Sequence, residues 1–394
     1  MSVGRARLGE VCRACRSSSV DSVLHLGQVP ASDAFPLVTD DPANDRTYPL
    51  ELRICRDCNL IQLGPGEAQP PETPGPVESQ TMLRHAAESV DRLVASEALK
   101  PGATLIELHS AHGGSWGPDF RRHGLRPIPQ GGTADVVVDV HFLMHEPDLD
   151  RILAAHAARL APDGLLVCEF FHALPMVTGN LIDTVRHGHF SYLTLISAVG
   201  NLRRHGLVIT WVRETSLYGG SLQLTARAAA SSPTVDRSVA DLLAREHVAG
   251  LDDPNALIRF GTEGRALARR LQADLKSRRD RGRRVAAYGA PSKAAVLLAL
   301  ADVDKPLLRY TVDLSPAKIG HRIPGAGVPI RAVTDLLEDQ PDDVVILTWD
   351  IADEVSDQLA RMSTVGGWNP NLIAPLPQLR ERRLFDGSWR PLGR

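Results

Sequence analysis

The sequence predicts an α/β protein in three parts, a small cysteine module followed by two α/β units. Three observations predict it. Cys12-x-x-Cys15 and Cys55-x-x-Cys58 place four of the five cysteines in two close pairs near the N-terminus. Apolar strand-like runs alternate with amphipathic stretches from residue 103 to residue 171. The same alternation resumes at residue 284, after a charged stretch with helical character. A chain of 394 residues has room for these parts. Its 43% hydrophobic and 23% charged content is that of a folded chain, which excludes disordered and fibrous classes.

The elements follow in order. Residues 1–63 form the cysteine module. Two such pairs can supply four thiolates to a tetrahedral zinc, and four protein ligands leave no open position, so the metal is expected to be structural. The 39 residues between the pairs must then fold back on themselves. A pair of disulfides is the rival reading, but nothing in the sequence indicates an oxidising compartment. Residues 64–81 are rich in Pro and Gly and read as a linker. Residues 82–99 have helical periodicity. ATLIEL and ADVVVDV read as strands, LDRILAAHAARL as an amphipathic helix, and GLLVCEFF as a third strand. Cys168 in that apolar run reads as a buried strand residue. GLVITWVRET and SLQLTARA read as an antiparallel pair that completes a unit over 82–234. Residues 235–280 form a helical connector, broken near Gly250–Pro254. The last unit, 281–394, starts with the strand RVAAYGA and the helix KAAVLLALA, followed by strands in LLRYTVD and DVVILTW.

Net charge is −3, so no excess of either sign points to nucleic acid or an anionic membrane. No apolar run approaches the roughly 18 residues that span a bilayer. The first residues, MSVGRARLGEVC, carry no signal-type apolar stretch. The expectation is a cytoplasmic protein with a small-molecule partner, without nucleic acid and without a membrane.

Three separated blocks resemble one family. They are LHLGQVPASDAF with YPLELRICRDCNLIQL, then DTVRHGHFSYLTL with YGGSLQL, then RVAAYGAPSKA with VDLSPAKIGHRIPGAGVPI and LTWDIADE. The chain is similar over nearly its whole length to the C-methyltransferases that modify keto-deoxysugars on nucleotide carriers. The resemblance implies a zinc module, a central class I methyltransferase-like (Rossmann-like) domain for S-adenosylmethionine, and a C-terminal Rossmann-like domain. It implies a nucleotide-sugar as substrate and a role in antibiotic or other natural-product biosynthesis.

Departures from the family fall where chemistry is expected. A turn resembling E-I-G-S-N-D-G reads here Glu107-Leu108-His109-Ser110-Ala111-His112-Gly113, with a histidine where glycine lets backbone approach a cofactor. Glu107, Ser110, Gly113 and His145 are the candidate cofactor residues. A nucleotide-binding unit usually carries an acid about 20 positions on, for the ribose hydroxyls. Between Gly124 and Asp135 there is no room for a strand, a helix and another strand. The second and third strands of the central domain are expected to be missing or fused, and the domain truncated. The family's Tyr-His-Glu-His reads here Arg186-His187-Gly188-His189. His189 takes the place of the family's base, which removes the proton beside the keto group, and imidazole suits that task near neutral pH. His187 and Tyr192 are further catalytic candidates. Tyr218 replaces the family's histidine before Gly-Gly-Ser-Leu. In the last unit, Tyr288, Gly289, Ser292 and Lys293 lie where a strand opens into a helix, a place suited to a diphosphate. Asp313 and Lys318 complete the candidate substrate-binding set.

The expectation is a C-methyltransferase-family enzyme with His189 as base, a structural zinc and an impaired S-adenosylmethionine site. Two other readings stay open. One is a repurposed enzyme that transfers protons, eliminates or hydrolyses without methylating. The other is an inactive protein that binds a ligand or partner.

Overall fold

The computed structural model describes residues 9–66, 80–97, 99–108, 114–129, 131–363 and 367–392. Most of the expected linker, residues 67–79, lies outside them, as do Ser110 and Gly113.

The N-terminal sheet explains how the cysteine pairs meet. Val20–Pro30 and Thr47–Cys55 run antiparallel in a long ladder whose register sets Val20 opposite Cys55. Ile61–Leu63 adds to the second strand. A fourth strand, Ser191–Tyr192, is borrowed from far along the chain and pairs with Ile61 and Gln62. The module therefore shares its core with the central unit and the connector helices. Leu24, Leu52 and Ile61 belong to one buried apolar cluster with Phe171, Ile182, Leu222 and Phe260.

The central sheet has six strands, in the order Arg126–Pro127, Thr104–Leu108, Ala134–Val140, Leu160–Phe171, Ser221–Ala228, Leu207–Thr215. The first four are parallel. The last two form the expected antiparallel pair, with Ser221–Ala228 antiparallel also to Leu160–Phe171. Among the described residues, the second strand of the unit is reduced to two residues and a third is missing. The short segment between Gly124 and Asp135 allows nothing longer. Asp148 caps the helix Leu149–Arg159 by accepting from Arg151 N at 2.9 Å, and Leu149, Ile152, Leu153 and His156 form its buried stripe.

The connector is two helices, Arg237–Val248 and Pro254–Asp280, the second capped by Asp253 with Pro at its first turn. Leu257, Phe260, Leu267, Leu271 and Leu275 recur at helical spacing on its buried face. Gly264 lets this helix lie close to the block ahead of His189. A Cβ there would meet Ile182 Cγ1 at 2.6 Å. The C-terminal sheet orders Ile330–Arg331, Thr311–Val312, Val285–Tyr288, Asp343–Ile346 and Asn371–Ala374 in parallel. Arg380–Arg383 and Arg390–Pro391 close one edge antiparallel. The run LLRYTVD makes only the short strand Thr311–Val312. No helix among the described residues is long and apolar enough to cross a membrane.

Candidate functional site

The two cysteine turns are built alike. Arg16 and Asn59, each just after a pair, adopt φ +64° and +56°, and their N–H groups return to Cys12 O and Cys55 O at 3.1 and 2.9 Å. All four Sγ atoms lie within 4.8 Å of one another, with Cys12 to Cys58 at 3.5 Å and Cys15 to Cys55 at 3.4 Å. A zinc with bonds of about 2.3 Å spaces tetrahedral sulfurs by about 3.8 Å, so the donor set fits. No pair is at bonding distance for a disulfide. Crowded together, the thiols lower the pKa of Cys55 and raise those of Cys12 and Cys58, since they cannot all ionise. A divalent cation would relieve that competition. Cys168 is buried in its strand, and burial pushes its thiol well up, as a packing residue requires.

The loop 185–190 crosses from the central sheet to the N-terminal module. Gly188, at φ +88°, turns the chain so that its carbonyl accepts from His145 Nδ1 at 3.0 Å. The His145 and His189 rings then meet edge to face, 4.9 Å between centroids, with Phe171 and Tyr192 also against His189. His145, a candidate cofactor residue, packs against His189. His187 points the other way. Its Nε2 lies 3.2 Å from Pro49 O and its ring meets Tyr48, while burial lowers its pKa. Tyr192 is fully buried, and its hydroxyl accepts from Arg186 N at 2.9 Å and donates to Arg186 O at 3.1 Å. Its role is to clamp the loop. The structure thus ties His187 to the N-terminal sheet and sets Tyr192 behind His189, 6.1 Å between centroids. Arg186 reaches Asp33 at 3.0 Å, and Asp33 also accepts from Ser292 of the last unit. Asp33 thereby joins the His189 loop to the C-terminal helix start, a role that its position in ASDAF did not suggest.

A second cluster occupies the C-terminal ends of the central strands. Thr104–Leu108 has a strand of the sheet on each side, reached by connections in opposite directions, which makes the crevice beyond it the usual ligand position in such sheets. Glu107 in this crevice is taken up locally. It accepts from Ser115 Oγ, Trp116 N and Gly117 N at 2.8, 2.6 and 3.1 Å. Asp135, the nearest acid in sequence to the expected ribose ligand, binds Thr104 N and Oγ1 at the opposite end of the strands. Beside the crevice, Glu169 is wholly buried and accepts from both His85 Nε2 at 2.8 Å and His141 Nε2 at 3.0 Å. Gln223 adds an amide donor at 2.7 Å. Burial alone would raise Glu169, but the two histidines outweigh it and bring it down to about 2. Sequence reading missed this group. The available signal was the acid inside the apolar run LLVCEFF, since a buried carboxylate requires partners.

The C-terminal set is largely occupied by its own neighbours. Tyr288 donates to Gln358 at 2.8 Å, away from the turn, and burial pushes it up to about 12. Gly289, at φ +91°, is required by packing, since a Cβ would lie 2.6 Å from Thr348 Cγ2. Asp313 accepts from Ala290 N at 2.7 Å and Ser315 N at 2.8 Å, in the place an anion was expected to take. Lys318 donates to Ala290 O at 2.8 Å. Lys293 pairs with Asp350 at 2.5 Å and lies 4.0 Å over the Trp349 ring. Trp349 in turn donates to buried Asp183 at 2.7 Å. Between this group and the 207–228 hairpin lies a cleft of about 340 Å³, lined in part by His172, Glu214, Gly220, Trp349, Asp350 and Arg380.

Residues 216–377 match the C-methyltransferase C-terminal domain, and residues 12–71 match a family described as "Putative zinc binding domain". The chain is similar to the C-methyltransferase NovU of Streptomyces niveus, 27% identical over 406 aligned positions that span 94% of this chain and 96% of that one. Among solved structures, the magnesium protoporphyrin IX methyltransferase of Synechocystis is 18% identical over 39% of this chain and 90% of its own, at a TM-score of 0.29. A Burkholderia thailandensis 1,6-didemethyltoxoflavin-N1-methyltransferase is 16% identical over 44% and 96%, at 0.27. Likenesses that slight say nothing about function.

Proposed function

From a chain that carries the zinc-binding and C-terminal domains of the C-methyltransferases, we propose an enzyme acting on a nucleotide-linked keto-deoxysugar or a related natural-product intermediate. His189 is its base, its S-adenosylmethionine site is impaired, and Cys12, Cys15, Cys55 and Cys58 hold a structural zinc. The observation that carries this reading is the setting of His189. It is 8% exposed, braced edge-on by His145, and joined through Arg186 and Asp33 to Ser292 at the start of the C-terminal helix.

The chemistry asked of His189 is modest. A neutral imidazole takes the proton from the carbon beside the ketone. The C–H electron pair becomes the new C=C bond and the carbonyl oxygen takes up the charge. His145 fixes the ring through its own bond to Gly188 O, so the base needs no reorganisation when the substrate arrives. The zinc, held by four thiolates with no open position, has no step in the reaction.

The residues around the central crevice do not fit S-adenosylmethionine well. Glu107 is engaged by Ser115, Trp116 and Gly117, and no carboxylate follows the two-residue strand Arg126–Pro127 to take the ribose. Two measurements test the proposal. Calorimetric titration with S-adenosylmethionine and its demethylated product is expected to show no saturation up to about 1 mM, and a low-micromolar constant would refute the impaired site. In D₂O, a nucleotide-linked keto-deoxysugar is expected to exchange the hydrogen beside its ketone. His189→Asn should slow that exchange by about 10²–10⁴-fold, and an unaffected rate would remove His189 from the role.

A further inference from the structure

The buried carboxylate at the strand ends has a geometry that packing alone does not require. Glu169 holds His85 on one oxygen and His141 on the other, and Gln223, itself bonded to Ser89 at 2.7 Å, fixes the oxygen shared with His85. His141 is the first residue after Ala134–Val140 and adopts φ +57°, an uncommon conformation for a residue with a β-carbon. Its N–H donates to Glu169 O at 2.7 Å and its Nε2 bonds the carboxylate of the same residue. Backbone and ring are therefore both tied to Glu169. The ring's other nitrogen, Nδ1, is buried and has no hydrogen-bond partner among the described residues. A buried nitrogen left unmet is costly, so its retention calls for a reason. Among the described residues, His156, His172, His187 and His321 also leave Nδ1 unmet, the first three bonding Asp139, Glu246 and Pro49 O through Nε2. Of the five, only His141 follows directly from one of the two strands that flank the crevice.

The same loop reaches both histidine groups. His145, four residues beyond His141, braces His189, while His141 lies edge-on to Tyr218 at 5.2 Å. Two imidazoles thus approach the strand ends from different elements. A carboxylate that fixes one nitrogen of an imidazole and leaves the other to exchange a proton is the arrangement of a general acid–base.

Resting on the proposed role of His189, we propose that His141, positioned by Glu169, is a second proton-transfer group, and that the chain inverts the configuration of the carbon beside the sugar ketone. His189 takes the proton from one face and leaves an enolate. The His141 imidazolium then gives its proton to that carbon from the other face. One C–H bond breaks, one forms, and the C=C pair becomes the new C–H bond as the carbonyl returns. His189 ends protonated and His141 neutral, and both re-equilibrate with water. No oxidant, reductant or methyl donor is consumed. Such an enzyme uses the enolate step of a C-methyltransferase and returns a proton to the enolate in place of a methyl group.

The test uses the whole 394-residue chain with thymidine diphosphate-linked 4-keto-6-deoxyglucose in D₂O, followed by proton NMR against a protein-free control. The parent is expected to incorporate deuterium beside the ketone and to accumulate a second epimer. His141→Gln should lower epimer formation by about 10²-fold or more, while the His189-dependent exchange stays within a few-fold. That surviving exchange also shows that the variant folds. Exchange by the parent without a second epimer, or epimer formation undiminished in His141→Gln, overturns the inference and leaves the proposed function standing. No exchange by the parent overturns both. Should His141→Gln fail to fold, Glu169→Gln decides: a selective fall in epimer formation supports the inference, and equal effects on both rates reject it.

Discussion

Asp183 should hold its proton at a pH where most carboxyls have lost theirs, and Asp183→Asn should stabilise the protein increasingly as the pH rises. Burial pushes the group from its ordinary 3.8 up to about 6. The Lys293 charge and the Trp349 N–H oppose the rise, and Asp350 adds to it. One oxygen accepts from Trp349 Nε1 at 2.7 Å, and Oδ1 has no partner among the described residues. Between about pH 4 and pH 6 the folded chain binds more protons at this site than the unfolded chain. Stability from this group therefore falls as pH rises through that window, and the loss is complete above about pH 6. At about 1.4 kcal/mol per pKa unit, the full penalty at pH 8 is about 3 kcal/mol. Asparagine is neutral throughout and its oxygen can still accept from Trp349. Its advantage should grow by about 1.5 kcal/mol between pH 5 and pH 8, because roughly half the penalty is already present at pH 5. Urea unfolding of parent and variant, run in parallel at the two pH values, reads that growth directly. An advantage independent of pH, or a variant less stable at pH 8, would refute the reasoning.

Two further expectations concern the N-terminal module. Cys55→Ser should lower zinc from one per chain to a small fraction and loosen the 12–63 segment, since metal binding and folding are coupled there; metal analysis and proteolysis check this, and full zinc content would contradict the four-thiolate assignment. Arg322→Met should cost about 3 kcal/mol, because it leaves half-buried Asp45 without the two guanidinium bonds at 2.6 and 2.8 Å that tie the module to the C-terminal unit, and only the Gly325 N–H remains. The double variant with Asp45→Leu should recover part of that loss in thermal unfolding, whereas no recovery would count against a charge penalty.

The parts of the molecule and their order were legible in the residues alone. Each Cys-x-x-Cys turn is legible because its spacing is local, while the N-terminal sheet is what brings the two turns together. Apolar runs such as ADVVVDV, and caps such as Asp148 before LDRILAAHAAR, specify strands and helices because their periodicity is local too. The short stretch between Gly124 and Asp135 was enough to exclude a full second and third strand, since a crossover has a minimum length. Which side chains those elements bring together was set by folding. His85, His141, Glu169 and Gln223 come from four elements, and no spacing along the chain encodes their meeting. Asp33 joins Arg186 to Ser292 across 153 and 259 residues of separation. The same holds for the neighbours that the fold gives each candidate residue. Tyr192, Tyr288, Asp313 and Lys293 are residue types suited to a site, yet each is already bonded to a neighbour. A polar side chain leaving water must find a partner, and which partner it finds depends on distances that exist only in the folded chain.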